Sequence, residues 1–194
     1  SFSGELGGVD LVDINNVISL NKGDIFNRNL VIENIQILTD LFADQGYAFV
    51  EINPITSDFL DAVNVDFQIS LNKKAYINRI TISGNTRTQD EVIRREIGIS
   101  EGGLYSRSIL RKSLLKLRRI GYFSDVQIST SEVEGIQDKI DINFLIEETQ
   151  TGAVSFSMSH SNNYGVAFGA GIEEKNIFGS GNTLNADLKI SESF

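Results

Sequence analysis

Cysteine is absent from the 194 residues, and histidine occurs once, at His160. Without thiols there is no disulfide and no thiolate metal site, and a lone imidazole cannot build a histidine-rich metal centre or a Cys-His nucleophile pair. A long apolar run is missing too. No window approaches the ~20 apolar residues of a membrane-spanning helix, which excludes a helical anchor but not a barrel strand, since that needs only ~10 residues of alternating polarity. Positive charge is in short supply, with 17 Lys and Arg against 26 Asp and Glu and a net charge of −9. Phosphate neutralisation needs the opposite balance, so no nucleic-acid partner is expected. The deficit is uneven: 11 acids face 4 bases over 1–75, 11 face 11 over 76–150, and 4 face 2 beyond. No start methionine, basic n-region or apolar h-region opens the sequence, and the expectation is a fragment of a longer chain.

Catalytic signatures are equally scarce. There is no Gly-x-Ser-x-Gly elbow to pair with His160, which reads as a polar strand residue. Glu147-Glu148 and Glu173-Glu174 are neighbours on strands and point to opposite faces, so neither makes an acid-base pair, while Asp90-Glu91 reads as first-turn helix charge. Neither Gly84-Asn-Thr nor Gly179-Ser-Gly181 has the lysine or the length of a phosphate loop. No enzyme activity and no cofactor are expected.

What is present is an internal repeat at a spacing of 75 to 79 residues. Gly23-Asp-Ile-Phe-Asn-Arg-Asn-Leu recurs as Gly102-Gly-Leu-Tyr-Ser-Arg-Ser-Ile, Gly46-Tyr47 as Gly121-Tyr122, and Val63-Asn-Val-Asp-Phe-Gln-Ile as Ile140-Asp-Ile-Asn-Phe-Leu-Ile. The offset shrinks between the first two blocks, so the helix they bracket is about one turn shorter in the second copy. The second copy opens with an alternating strand, Tyr76 to Ile82, closed by the turn signal Ser83-Gly84-Asn85. Thr88-Gln-Asp-Glu91 predicts a capping box for a first helix carrying Val92, Ile93 and Ile97 and stopped by Gly98. Ser106 predicts the N-cap of a second helix with Leu110, Leu114 and Leu117 on its apolar side, closed by Gly121. Strands around Val126 and Ile128 and around Ile140, Ile142, Phe144 and Ile146 follow, separated by a turn at Glu134-Gly135. In the first copy Val31, Ile35, Leu38 and Phe42 form the helix stripe, and the opening strand is represented only by Ser1 to Ser3. The order strand, helix, helix, strand, strand makes each copy an α+β unit with two helices on one face of a three-stranded sheet.

From Gly152 the pattern changes. Val154, Phe156 and Met158 alternate with serines; Val166, Phe168 and Ala170 alternate with Ala167, Gly169 and Gly171; Leu184, Ala186, Leu188 and Ile190 alternate with Asn185, Asp187 and Lys189. Joined by Asn162-Asn163 and by Phe178-Gly-Ser-Gly181, these three ~10-residue strands fit the wall of a membrane barrel with a polar lumen.

Ile80-Thr-Ile-Ser-Gly-Asn85, Arg94-Arg-Glu96, Gly121-Tyr-Phe123, Glu147-Glu148-Thr149 and Asn176-Ile-Phe-Gly-Ser-Gly181, in this order, resemble the BamA family of outer-membrane assembly factors. The resemblance implies tandem POTRA modules at 1–74 and 75–149 and the start of a transmembrane β-barrel at 150–194, with the modules in the periplasm of a Gram-negative cell. It further implies unfolded outer-membrane β-barrel proteins as clients, assembly-machinery lipoproteins as partners, with Arg94, Arg95 and Glu101 on the lipoprotein-docking surface, and a seam strand at Gly152, Val154 and Phe156 that pairs weakly and opens to template an incoming strand. A two-partner secretion transporter of the same superfamily is the alternative, and a soluble periplasmic scaffold a more distant one.

Physical reasoning adds two candidate surfaces. A three-stranded sheet leaves two outer strands with unpaired backbone groups, and an unfolded chain can add to them; Val126, Gln127, Ile128 and Ser129, with Val50 to Thr56 as counterpart, are the candidate edge, or else the plain border of a stable sheet. The helix from Arg107 to Arg119 carries Arg107, Arg111, Lys112, Lys116, Arg118 and Arg119. It is either a solvated face or a contact for an acidic partner or for anionic outer-membrane lipid, where a basic residue gains up to about 1 kcal/mol. The short linker at Asn72-Lys73-Lys74 predicts limited freedom between the modules.

Overall fold

The computed structural model describes residues 1–9, 11–59, 62–161 and 165–191. The expected turn at Asn162-Asn163 lies outside the described residues. The chain packs as two compact units, one of Ser1–Ile80, Ile99–Arg111 and Thr130–Ile142, the other of Thr81–Gly98, Lys112–Ser129 and Asn143–Phe194.

The first repeat runs β1 (Phe2–Gly4), α1 (Leu11–Val17), α2 (Arg28–Asp44), β2 (Glu51–Phe59) and β3 (Ala62–Ser70). α2 starts where the Asn27 side chain accepts from the Asn29 amide, a local cap that satisfies one orphan donor. Its stripe buries Val31, Leu38 and Phe42 with Ile14 of α1, Tyr47, Phe67 and Ile69. Asn34 is fully buried on the same face, and both ends of its amide are used: the oxygen accepts from Ser19 N–H at 2.9 Å, and Nδ2 donates to Leu30 O and Ser19 Oγ. The repeat calls for a first helix in this copy, but the bounds of α1 are not legible, because seven residues hold too few apolar positions to show a period. The sheet order is β1-β3-β2, with β1 parallel and β2 antiparallel to the central strand. Pro54 sits on β2, opposite Phe67, and an outer strand is where a residue without an N–H does least damage.

The second repeat runs β4 (Tyr76–Ser83), α3 (Asp90–Arg94), α4 (Arg107–Arg119), β5 (Phe123–Val133) and β6 (Ile136–Glu148), in sheet order β4-β6-β5. Its last strand is central, as in the first repeat, and Ile140, Ile142, Phe144 and Ile146 are all buried. The capping box expected at Thr88 does not form. α3 is capped at Gln89 without a side-chain bond, because Thr88 is buried and its hydroxyl accepts instead from Asn176 Nδ2 at 2.8 Å. The helix also ends at Arg94 rather than running to Gly98, although Ile97 N–H still reaches Ile93 O at 3.2 Å. Gly98 N–H donates to Ser113 Oγ of α4, which ends the turn with a side-chain partner. The Ser106 cap is present at the start of α4, accepting from Ile109 N–H at 3.4 Å.

The tail forms β7 (Gly152–Ser161), β8 (Gly165–Ile177) and β9 (Asn182–Ser191), an antiparallel meander in sheet order β7-β8-β9.

Candidate functional site

Strict pairing in the meander sorts its two faces. Val154, Ile172 and Ala186 lie in one row, Phe156, Ala170 and Leu188 in the next, and Met158, Phe168 and Ile190 in the third. Phe156 is 83% exposed and Met158 73%, so among the described residues nothing covers this apolar surface. Ser155, Gly171 and Asp187 form a row on the opposite face, and Ser157, Gly169 and Lys189 another. An apolar, lipid-like face backed by a small and polar one is the arrangement of a barrel wall. The proposed seam residues Gly152, Val154 and Phe156 lie on β7, which is an outer strand of this sheet.

The candidate client edge falls on β5, also an outer strand. Val126 is buried, and its backbone is already engaged: its N–H donates to Asp125 Oδ1 at 2.8 Å, and its carbonyl accepts from Arg118 Nη2 at 2.9 Å. Arg118 also pairs with Asp125 at 3.0 Å. Gln127 donates to Asp125 Oδ2; that bond, then the one from the Val126 amide and the nearby Arg118 guanidinium, holds the Asp125 carboxyl below its ordinary range. Gln127 and Ser129 are exposed and Ile128 is half-buried. The open stretch of this edge therefore starts past Val126. On the counterpart β2, Pro54 removes a donor from the Val50 to Thr56 edge.

The basic helix is partly spoken for. Arg107 pairs with Asp40 at 3.2 Å, Arg111 approaches the same carboxylate at 3.9 Å, and Arg118 is held at Asp125. Lys112, Lys116 and Arg119 are exposed. The three residues assigned to lipoprotein docking are likewise in use: Arg94 bridges Asp90 one turn back, Arg95 pairs with Glu96 at 3.5 Å, and Glu101 Oε1 accepts the Ile80 amide at 3.0 Å. The two arginines and Glu101 fall in different compact units.

A junction joins the second repeat to the meander. Glu148, at the end of β6, accepts from Thr86 Oγ1, Arg87 N–H and Thr88 N–H at 2.7 to 2.8 Å. Partial burial works to raise this carboxyl, but the hydrogen bonds from Thr88, Arg87 and Thr86 outweigh it and hold it below the usual range. Asn176 of β8 donates to Thr88 Oγ1 and accepts from Gly181 N–H at 2.8 Å. Gln89 N–H donates to Gly179 O at 2.9 Å, and Tyr122 Oη to Gly181 O at 3.1 Å. Gly179 has φ +67° and lies so close to the Arg87 carbonyl that no Cβ fits between them. Thr151 Oγ1 donates to Glu174, whose carboxylate also accepts the Asn176 amide.

The sequence model of the POTRA family, described as surface antigen variable number repeat, matches residues 1–71 and 75–149. The chain belongs to the POTRA family. Along its full length it is 29% identical to the outer membrane protein assembly factor BamA of Neisseria meningitidis serogroup B, and over 93% of its length 32% identical to that of Nitratidesulfovibrio vulgaris. It spans about a quarter of those relatives, 24% and 23% of their lengths. The crystal structure of BamA from Haemophilus ducreyi lacking POTRA domains 1-3 shares the fold with a TM-score of 0.80, at 24% identity over 92% of this chain and 34% of that one. Two POTRA modules thus account for both copies of the repeat. The bonds that sequence reasoning missed, from Asn176 to Thr88 and from the loop at 86–88 to the triple acceptor Glu148, tie the second POTRA module to the strands that follow it. They join residues 60 to 88 apart in sequence, beyond any local pattern.

Proposed function

We propose that this chain is the membrane-proximal part of an outer-membrane β-barrel assembly factor. In this reading POTRA modules at 1–74 and 75–149 stand in the periplasm, and 150–194 supplies the first strands of a transmembrane barrel in the outer membrane. Unfolded outer-membrane proteins add to the modules through sheet edges and are handed to the seam strand β7. The observation that carries this reading is the meander's uncovered apolar face, backed by serine and glycine and fastened directly to a module through Glu148, Thr88 and Asn176. Likeness to proteins named outer membrane protein assembly factor supports the same reading.

On β5 the docking stretch is Gln127, Ile128, Ser129 and Thr130, since Arg118 and Asp125 already occupy the backbone at Val126. Lys112 and Arg119, with Arg111 and Arg118 beside them, face anionic lipid headgroups, and Arg94 and Arg95 on one unit, like Glu101 on the other, contact an assembly lipoprotein. The test is photocrosslinking in native outer membranes, with reactive residues at Ile128 and Gly152 of the full-length parent. Crosslinks to several nascent barrel proteins are expected. Crosslinks to one secreted protein would replace this reading with a two-partner secretion transporter, and their absence would leave β5 and β7 with a structural role alone.

A further inference from the structure

The start of β7 is tied into a closed ring of bonds, all within one compact unit. Thr151, one residue ahead of the strand and 8% exposed, donates its hydroxyl to Glu174 Oε1. The pairing of β8 with β9 shifts register between Glu174 and Ile177, and the Asn176 amide inside that bulge donates to the same oxygen at 3.1 Å. The Asn176 side chain donates to the Thr88 hydroxyl at 2.8 Å, and the Thr88 amide to Glu148 at 2.7 Å. Only Thr149 and Gln150 separate Glu148 from Thr151, which closes the ring.

Glu174 stands out from its surroundings. It pairs with Gly152 at the end of the face that carries Phe168, Ala170 and Ile172, yet it is a carboxylate, half-buried and turned to donors of the protein. β7 itself carries little that would fix its register. Sliding it by two residues along β8 would set Ser155 and Ser157 against Gly169 and Ala167, and Val154, Phe156 and Met158 against Ala170, Phe168 and Val166. Serine would still face small residues and apolar side chains would still face apolar ones, so both faces survive the slip. The bond from Thr151 to Glu174 does not survive it, because the two ends of that bond move apart by two residues.

We infer that Glu174 is a positioning residue: through Thr151 it pins the register of β7, and through Asn176 and Thr88 it refers that register to the second module. The consequence for function rests on the reading of β7 as the seam strand, since a strand adding to its open edge takes its frame from β7 and thereby from the module. The pin itself is intramolecular and stands or falls without a client.

The test uses the full-length parent in its membrane, in a background free of other cysteines. One cysteine pair replaces Ser159 and Ala167, which lie opposite one another, and a second replaces Ser157 and Ala167, which do so only after the slip. With Glu174 in place the first pair should oxidise and the second stay reduced. Glu174→Ala should raise disulfide in the second pair at least about tenfold, the factor expected from losing one charge-assisted hydrogen bond. Glu174→Gln keeps an oxygen for both donors and should restore the single register. Should the Glu174→Ala protein fail to fold, Thr151→Val removes one donor alone and should slip likewise, with Thr151→Ser as its rescue. A second pair that stays reduced in the folded variants overturns the inference, as does a Gln variant that slips as far as the Ala one. Benzoyl-phenylalanine at Phe156 reads the consequence, and its crosslinking to nascent barrel proteins should fall when β7 slips. A slipped register with unchanged crosslinking would uphold the pin and overturn the reading of β7 as the client seam.

Discussion

Glu148 shows how much a single side chain can hold together. Its carboxylate gathers a hydroxyl and two amides from the loop ahead of α3, and that loop in turn receives Asn176 and Gly179 of the meander. Replacing Glu148 by Ala should destabilise the second module and its attached strands by about 1–3 kcal/mol, the usual cost of leaving partly buried donors without a charged partner. Urea unfolding at pH 7 measures it. Because the folded carboxyl titrates below its ordinary value of about 4.5, its contribution is present above that value and is lost as pH falls through the lower folded one. Glu148→Gln should therefore be weaker than wild type at neutral pH and lack that share of the acid sensitivity. The sequence displayed Thr88-x-x-Glu91 as a local capping box, and the structure uses Thr88 for long-range bonds instead. Local spacing cannot show which of two acids, Glu91 three residues on or Glu148 sixty on, reaches the loop first.

At the scale of elements the repeat was the most legible feature, because each strand and the long helices keep an apolar period that survives the exchange of individual residues. The bounds of α1 and the length of α3 were not legible, both helices being too short to carry a period. Nor were the partners that occupy Arg107, Arg111 and Arg118, since a run of bases looks the same whether it faces lipid or acids brought from elsewhere. On β5 this matters for function. Arg118→Ala should uncover the Val126 carbonyl, extend the edge by one position and increase client crosslinking at Ile128; a decrease would mean that Arg118 holds the strand in shape for docking rather than shielding it. The close approach of Leu104 to Gly46, where a Cβ would stand 2.6 Å from Leu104 Cδ1, offers a second test. Gly46→Ala meets both a positive φ and the Leu104 side chain, whereas Gly121→Ala meets only the φ of +80°, with open space around it. Both should lose about 1 kcal/mol for the backbone, and Gly46→Ala should lose more. A cycle with Leu104→Ala should recover that excess, because removing the leucine removes the clash.

For the whole molecule, the alternation beyond Gly152 predicts which substitutions the membrane should feel. Phe168 pairs with Met158 and Ile190 on the apolar face, while Ser157 lies on the other face between Gly169 and its own strand neighbours. Phe168→Arg sets a charge on the lipid side, where Arg costs about 2–4 kcal/mol near the bilayer midplane and less toward the interfaces. Ser157→Arg places the same charge toward a polar lumen and should cost far less. Reconstituting the full-length variants into bilayers and measuring the folded fraction over a urea series would separate them: the Phe168 variant should shift to lower urea and the Ser157 variant stay near wild type. If both shifted equally, the two faces would share one environment and the barrel-wall reading would fail. A barrel wall and a soluble sandwich differ only in what covers Phe156, Met158 and Phe168, and repeating the series in buffer without lipid distinguishes them, since a protein cover would keep the meander folded there and a lipid cover would not.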